Sequence, residues 1–122
     1  MDSRKSVGKI GEEYAADYLK KHGYRILQMN FFSRLGGIDI IAQKDGTYIF
    51  CEVKTRVENM KGKGYEAVNY YKIKKLMKAI YFYFLKNNIV QYKSRIDVIS
   101  IELSYDREIK TLKHFENVGM EL

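Results

Sequence analysis

The feature that most constrains the fold is an Asp45-Gly46 pair between two runs rich in β-branched and aromatic residues. These runs, residues 38–43 and 47–54, have the composition of β-strands. Asp-Gly is a preferred pair for a two-residue type I′ turn, because both central residues need a positive φ. The sequence therefore predicts a β-hairpin in which Lys44 faces Thr47.

This register places three charged side chains on one face of the hairpin. Asp39 should lie opposite Glu52, with Cβ atoms about 4.5–5.5 Å apart, and Lys54 should project from the same face. Two opposed carboxylates repel each other unless a cation lies between them, and oxygen ligands select hard ions such as Mg²⁺ or Mn²⁺. The alternative is a solvated strand face, since exposed alternating charges are common in antiparallel sheets. Phe50 and Ile41 share this face, which is therefore not simply polar.

The rest of the chain predicts an α/β fold with the element order α-β-β-β-α-β-β. Apolar residues at helical spacing predict helices over residues 5–22 and 69–87, and Gly23 fits the positive-φ position after the first helix. Gly11 lies in the apolar stripe of that helix, where its missing side chain would permit close approach to the sheet. Residues 55–67 contain basic residues and glycines and are predicted to form a loop. The predicted strands are 25–32, 38–43, 47–54, 95–103 and 109–115.

Length and composition favour a single domain over residues 1–122. The chain lacks an apolar run of the roughly 18 residues that cross a membrane and has no leader-like start. Its one cysteine, Cys51, is predicted to pack in the core and fits a reducing cytoplasmic location. Because 22 basic residues outnumber 15 acidic ones, the net charge of +7 favours a polyanionic partner such as nucleic acid over a membrane.

The order and spacing of these residues resemble a known family. Asp39 followed by Glu52-Val53-Lys54 resembles the Asp-(x)n-Glu-x-Lys pattern of the PD-(D/E)XK nucleases, in particular their Holliday-junction-resolvase-like branch. The chain is more closely similar to the bacterial YraN-like family of predicted endonucleases, over nearly its whole length. The other motifs that carry this resemblance are Gly8-x-x-Gly11-Glu12, Gly23-Tyr24-Arg25-Ile26-Leu27, Asn30, Arg34-x-Gly36-x-Ile38-Asp39, Phe50, Thr55-Arg56, Lys72 and Arg95-Ile96-Asp97-Val98.

The resemblance implies a restriction-endonuclease-like core, with a mixed sheet of about five strands flanked by helices, and a metal-dependent endonuclease that acts on DNA, including branched DNA. Asp39, Glu52 and the Val53 carbonyl are expected to hold Mg²⁺ or Mn²⁺, with Glu12 joining from the first helix. Lys54 is expected to orient or help deprotonate the attacking water. Related resolvases act as dimers, which suggests a homodimer.

The chain departs from the family pattern at Gly37, where the family usually has a glutamate before Ile-Asp. The loss of this accessory carboxylate supports an alternative function, a non-catalytic nucleic-acid-binding module on the same fold. A protein-interaction adaptor is a third hypothesis, based on the aromatic residues 81–84 of the second predicted helix.

Several basic residues near the predicted site are candidates for contacts with phosphates, although such side chains are often only solvated. They are Arg34, Arg56, Lys61, Lys63, Lys72 and Lys75. Asp97 lies in an otherwise apolar strand, next but one to Arg95, and is interpreted as a salt-bridge partner or an additional site residue. His22 and His114 are isolated in the sequence and do not suggest a zinc site.

Overall fold

The computed structural model describes residues 5–59 and 70–119 and confirms the predicted order of elements. The five strands form one mixed sheet in the spatial order β1-β2-β3-β4-β5, in which only β3 and β4 are parallel. The first and last strands therefore form the two edges of the sheet. The elements are α1 (Val7–Lys21), β1 (Arg25–Ser33), β2 (Gly36–Lys44), β3 (Thr47–Val57), α2 (Tyr70–Lys86), β4 (Lys93–Leu103) and β5 (Ile109–Phe115).

The turn between β2 and β3 has the conformation that its sequence predicts. Asp45 and Gly46 have φ angles of 51° and 78°, and Lys44 pairs with Thr47. Regular pairing continues in this register as far as Ile40 and Cys51. It ends one position before Asp39 and Glu52, so the predicted facing pair lies where the two strands begin to separate.

Helix α1 packs closely against the sheet through Gly11. Ser6 caps the helix by accepting a 3.1 Å hydrogen bond from the Lys9 N–H, and Gly23 follows its end with a φ of 90°. A Cβ atom on Gly11 would overlap the side chain of Thr55 on β3. The absence of a side chain at Gly11 therefore sets how closely α1 approaches the strand that carries the candidate site.

Each face of the sheet has its own hydrophobic core. The core under α1 contains Cys51, Ile40 and Ile99, and the core under α2 contains Phe50 and Ile41. Cys51 is fully buried, as predicted. The aromatic run of α2 is divided: Tyr83 and Phe84 are buried, whereas Tyr81 and Phe82 are exposed.

Two boundaries beside the candidate site differ from the sequence prediction. Gly36 and Gly37 belong to β2, and the connection from β1 is the tight turn of Arg34 and Leu35. Residues 55–57, predicted to begin a loop, continue β3, because they pair in parallel with residues 101–103 of β4. Among the described residues, no helix is long and apolar enough to cross a membrane.

Candidate functional site

Asp39 lies at the point where β2 leaves its regular pairing with β3. Its Oδ2 atom accepts a 2.8 Å hydrogen bond from the backbone N–H of Val53. In a strand the N–H and C=O of one residue point toward the same neighbouring strand. The Val53 carbonyl is therefore also directed toward the side of β3 on which Asp39 lies. This is the side on which the predicted metal ion would lie.

Glu52 and Lys54 share one face of β3, and Lys72 reaches the same place from α2. The Nζ atoms of Lys54 and Lys72 lie 3.5 Å and 3.4 Å from Glu52 Oε2. The side chains of Glu52 and Lys54 are only 18% and 20% exposed, whereas that of Lys72 is 45% exposed. Charge-assisted hydrogen bonds are usually 2.7–2.9 Å long. The two ion pairs are therefore loose contacts.

The surroundings of Asp39 disfavour its ionisation. Burial, followed by the charge of Glu52, raises the pKa of Asp39 from 3.8 to about 6. Glu12 on α1 raises this pKa further, while the Val53 N–H and the charge of Lys54 lower it. Glu52, Glu12 and Lys54 therefore all lie close enough to Asp39 for their charges to shift its pKa. The neighbouring Glu13 points away and pairs with Lys5 at 2.8 Å on the surface.

The two lysines perturb each other's protonation. Partial burial, followed by the contact with Lys72, lowers the pKa of Lys54, although Glu52 opposes that change. The pKa of Lys72 is raised, first by its hydrogen bond to Lys54. Lys54, the more buried of the two, is therefore the one that releases a proton more readily.

A cavity of about 190 Å³ opens beside Glu52 and Lys72. The remaining residues that line this cavity are Gly36, Gly37, Lys75 and Leu76. A Cβ atom on Gly37 would lie 3.2 Å from Cδ1 of the exposed Phe32 ring and 3.3 Å from the Phe31 carbonyl oxygen. A glutamate at this position would therefore require the Phe32 ring and the Phe31 carbonyl to move slightly away from its Cβ atom. Its carboxylate could then reach the cavity.

The donor set at the site fits a hard divalent cation that keeps several waters. In the parts of the chain that the structure describes, no three His, Cys, Asp or Glu side chains are grouped to hold a metal. Glu12 thus influences Asp39 through its charge without completing a three-carboxylate cage. Mg²⁺ is commonly bound by only one or two carboxylates together with waters and substrate phosphate. Asp39, Glu52 and the Val53 carbonyl meet that requirement.

The predicted phosphate-binding residues occupy different places. Lys72 and Lys75 line the cavity beside Glu52, while Arg56 lies one alternation beyond Lys54 on β3. Arg34 is exposed in the β1–β2 turn, two residues before the cavity residue Gly36. Lys61 and Lys63 lie outside the described residues, and their role stays a prediction.

Asp97 belongs to a separate buried network under α1. Its Oδ1 accepts a 3.0 Å hydrogen bond from Arg95 Nε, and its Oδ2 lies 2.7 Å from His114 Nε2. His114 also contacts the Tyr18 hydroxyl at 2.9 Å through Nδ1. The salt-bridge interpretation of Asp97 is confirmed. The role of His114 was missed, because 17 residues separate it from Asp97 and the sequence carries no local signal of their contact.

A mixed sheet between two helices, with two carboxylates and a lysine where a hairpin opens, defines an α/β domain with a candidate acid–lysine site. The chain belongs to the UPF0102 family. Residues 11–101 match the family model described as "Uncharacterised protein family UPF0102".

Three relatives in this family match between 80% and 94% of the chain. The UPF0102 protein of Alkaliphilus oremlandii is 44% identical over 115 residues, which cover 93% of this chain and 97% of that protein. The relative from Caldanaerobacter subterraneus subsp. tengcongensis is 38% identical over 116 residues, covering 94% and 95%. The relative from Caldicellulosiruptor bescii is 47% identical over 100 residues, covering 80% and 82%.

Proposed function

We propose that the protein is a metal-dependent endonuclease that hydrolyses phosphodiester bonds of DNA, as the resemblance to PD-(D/E)XK nucleases implies. The observation that carries the proposal is the convergence of Asp39, Glu52 and Lys54 where β2 and β3 separate. The adjoining lysines of α2 and the net charge of +7 suit an anionic substrate.

In this proposal Asp39, Glu52 and the Val53 carbonyl hold Mg²⁺ or Mn²⁺. When bound, the cation supplies Lewis acidity toward the phosphoryl oxygen and lowers the pKa of a water. Lys54 orients that water and takes up its proton when the lysine is neutral, which its lowered pKa favours. Lys72 offsets the charge that develops on the phosphate, because its raised pKa keeps it protonated.

The proposal is tested by incubating labelled linear, flapped and four-way-junction DNA with the protein and Mg²⁺ or Mn²⁺. We expect metal-dependent cleavage that Asp39→Asn, Glu52→Gln and Lys54→Met each reduce by at least about 100-fold. Asp39→Asn is the most informative variant, because an amide oxygen can still accept the Val53 N–H. Cleavage at the wild-type rate in Asp39→Asn would contradict the assigned site.

Two glutamates on α1 provide a matched pair of variants for the same assay. Glu12 raises the pKa of Asp39, whereas Glu13 pairs with Lys5 on the surface. Glu12→Gln should slow cleavage, and Glu13→Gln should leave the rate unchanged. Equal effects of the two substitutions would remove Glu12 from the proposed site.

A non-catalytic nucleic-acid-binding module is the second candidate function. It is favoured by Gly37 and by the lack of a third carboxylate, histidine or cysteine grouped with Asp39 and Glu52 in the described part of the chain. This function predicts DNA binding without cleavage in either metal. Gly37→Glu would then be the substitution most able to create activity, since its side chain can reach the cavity beside Glu52.

A further inference from the structure

The face of the sheet that carries Glu52 and Lys54 is only partly covered by α2. This helix packs on β1 and β2, and the hydrophobic core between the helix and the sheet extends to Phe50 in the middle of β3. Toward β5, on the same face, Lys113 and Thr111 are exposed and the Phe115 ring is 45% exposed. Among the described residues, no helix packs over the part of this face that runs from Lys54 to Phe115, and this part is continuous with the candidate active site.

Strand register arranges the side chains of this surface in three rows, because paired residues of adjacent strands project from the same face. Each row contains one residue from β3, one from β4 and one from β5. The rows are Glu52–Val98–Phe115, Lys54–Ser100–Lys113 and Arg56–Glu102–Thr111. Alternate residues of a strand are about 6.6 Å apart, and strands β3 and β5 are separated by about 10 Å. The second row is therefore next to the row that contains Glu52, and the third row lies one alternation further along the strands.

A groove of about 190 Å³ lies on this surface. It is lined by Arg56, Ser100, Ile101, Glu102, Thr111, Lys113 and Phe115. No side chain or backbone group in the described part of the protein hydrogen-bonds to the buried Arg56 Nε atom. A buried donor without a partner is costly, and guanidinium donors match phosphate oxygens well. Arg56 and Lys113 provide positive charge, and Ser100 and Thr111 provide hydroxyl donors, so the groove suits a phosphate group.

Phe115 adds a different kind of contact at the end nearest Glu52. An exposed aromatic ring on a sheet face can stack on a nucleobase, but only on one that is not already stacked within a duplex. The carboxylate of Glu102 lies in the same row as Arg56, so it repels phosphate at that end of the groove and favours a phosphate position toward Lys113. The groove therefore offers positive charge for a phosphate and an aromatic ring for a base that is not stacked in a duplex.

We propose that this groove binds an unpaired strand of nucleic acid beside the cleavage site, with phosphate held by Arg56 and Lys113 and a base stacked on Phe115. The inference rests on the proposed function and extends it, since it makes the substrate a nucleic acid with a single-stranded segment next to the scissile bond. A flap, gap or branch provides such a segment, whereas continuous duplex does not.

The test is fluorescence anisotropy with oligothymidylate of roughly 20 nucleotides and with a duplex of equal length, in EDTA, so that cleavage plays no part. Phe115→Ala should weaken single-strand binding by at least about 5-fold and leave duplex binding nearly unchanged. Phe115→Tyr should restore the affinity. Lys113→Ala should weaken single-strand binding and lower the slope of log affinity against log salt by about 0.7.

Matched controls are Tyr105→Ala, which removes an exposed aromatic ring from the β4–β5 turn, and Lys20→Ala, which removes an exposed lysine from α1. Neither should change the affinity. Unchanged binding by Phe115→Ala, an equal loss for duplex and single strand, or no binding of either probe would overturn the inference. Single-strand binding through Phe115 without cleavage would retain the groove and reject the nuclease. Cleavage by the wild type, together with unaltered single-strand binding by Phe115→Ala, would retain the nuclease and reject the groove.

Discussion

The Asp39 carboxylate accepts a 2.8 Å hydrogen bond from the Val53 N–H, beyond the last regular pair of the β2–β3 hairpin, Ile40 and Cys51. A side chain thus connects the two strands where their backbones have begun to separate. The same carboxylate is close enough to Glu52 and Glu12 for their charges to raise its pKa. Asp39 therefore stabilises the hairpin as an acceptor and destabilises it as an anion.

Replacing Asp39 with asparagine separates these two effects. Because the folded-state pKa of about 6 is above the ordinary 3.8, stability falls as pH rises between these values and stays lower above them. Asp39→Asn keeps an acceptor without the charge, and we expect it to raise the free energy of unfolding by about 1–2 kcal/mol near pH 8 in EDTA. At about pH 4 the gain should largely vanish. Urea denaturation at the two pH values measures this, with the exposed Asp17→Asn as control. Destabilisation at both pH values would show that the anion itself is needed for folding.

Removing Lys72 should make Lys54 more basic. Lys72 is, after partial burial, the second cause of the lowered pKa of Lys54, and both lysines contact the same Glu52 oxygen. In Lys72→Gln only the attraction of Glu52 remains beside the effect of burial, so the pKa of Lys54 should rise. NMR titration of ¹³C-labelled lysine side chains measures this directly. Lys78→Gln, an exposed change on the same helix, should have no effect. An unchanged or lower Lys54 pKa in Lys72→Gln would rule out this coupling.

Two glycines of α1 should respond oppositely to alanine. A Cβ atom on Gly11 would overlap the Thr55 side chain on β3, whereas a Cβ atom on Gly8 meets no atom within 4 Å. Gly11→Ala should lower the free energy of unfolding by about 1–3 kcal/mol through overpacking. Gly8→Ala should raise it by up to about 1 kcal/mol, because alanine is the better helix former. Thermal or urea unfolding of the two variants measures the difference. A stabilised Gly11→Ala would mean that α1 can move away from β3 at no cost.

The Asp97 network should make the fold sensitive to acid. Burial alone would raise the pKa of Asp97, but hydrogen bonds from His114, Arg95 and the Asn117 N–H outweigh burial and lower it. A lowered carboxyl pKa gives stability that is present above the ordinary value of 3.8 and is lost as pH falls through the folded-state value.

Asp97→Asn should therefore cost about 3 kcal/mol at neutral pH, because it leaves the partly buried Arg95 with only its longer, 3.7 Å ion pair to Glu116. The variant should also show a weaker fall in stability below about pH 4 than the wild type. Urea unfolding across this range measures both effects. Asp106→Asn in the exposed β4–β5 turn is the control. If Asp97→Asn keeps the full acid sensitivity of the wild type, other carboxylates must be responsible.

The hairpin that carries the candidate site was predictable in detail, because its determinants are local. Asp45 and Gly46 adopt the positive φ angles of a type I′ turn, and that turn fixes which residues of β2 and β3 share a face. The end of α1 follows in the same way from Gly23, whereas its start at Val7, after the Ser6 cap, lies two residues later than predicted. Such signals act within a few residues and need no knowledge of the rest of the chain.

Contacts between distant segments were decided only by the tertiary structure. Parallel pairing with β4 extends β3 to Val57, through a segment that its composition suggested was a loop. Packing of α2 brings Lys72 to Glu52, 20 positions away in sequence, and pairing of β5 with β4 brings His114 to Asp97. Residue spacing cannot encode these contacts, because they depend on how helices and strands dock after each has formed. The sequence by itself thus determined the elements, the hairpin register and the grouping of Asp39, Glu52 and Lys54. The docking of helices and strands determined that Lys72 approaches Glu52, that His114 contacts Asp97, and which part of the sheet α2 leaves uncovered beside the site.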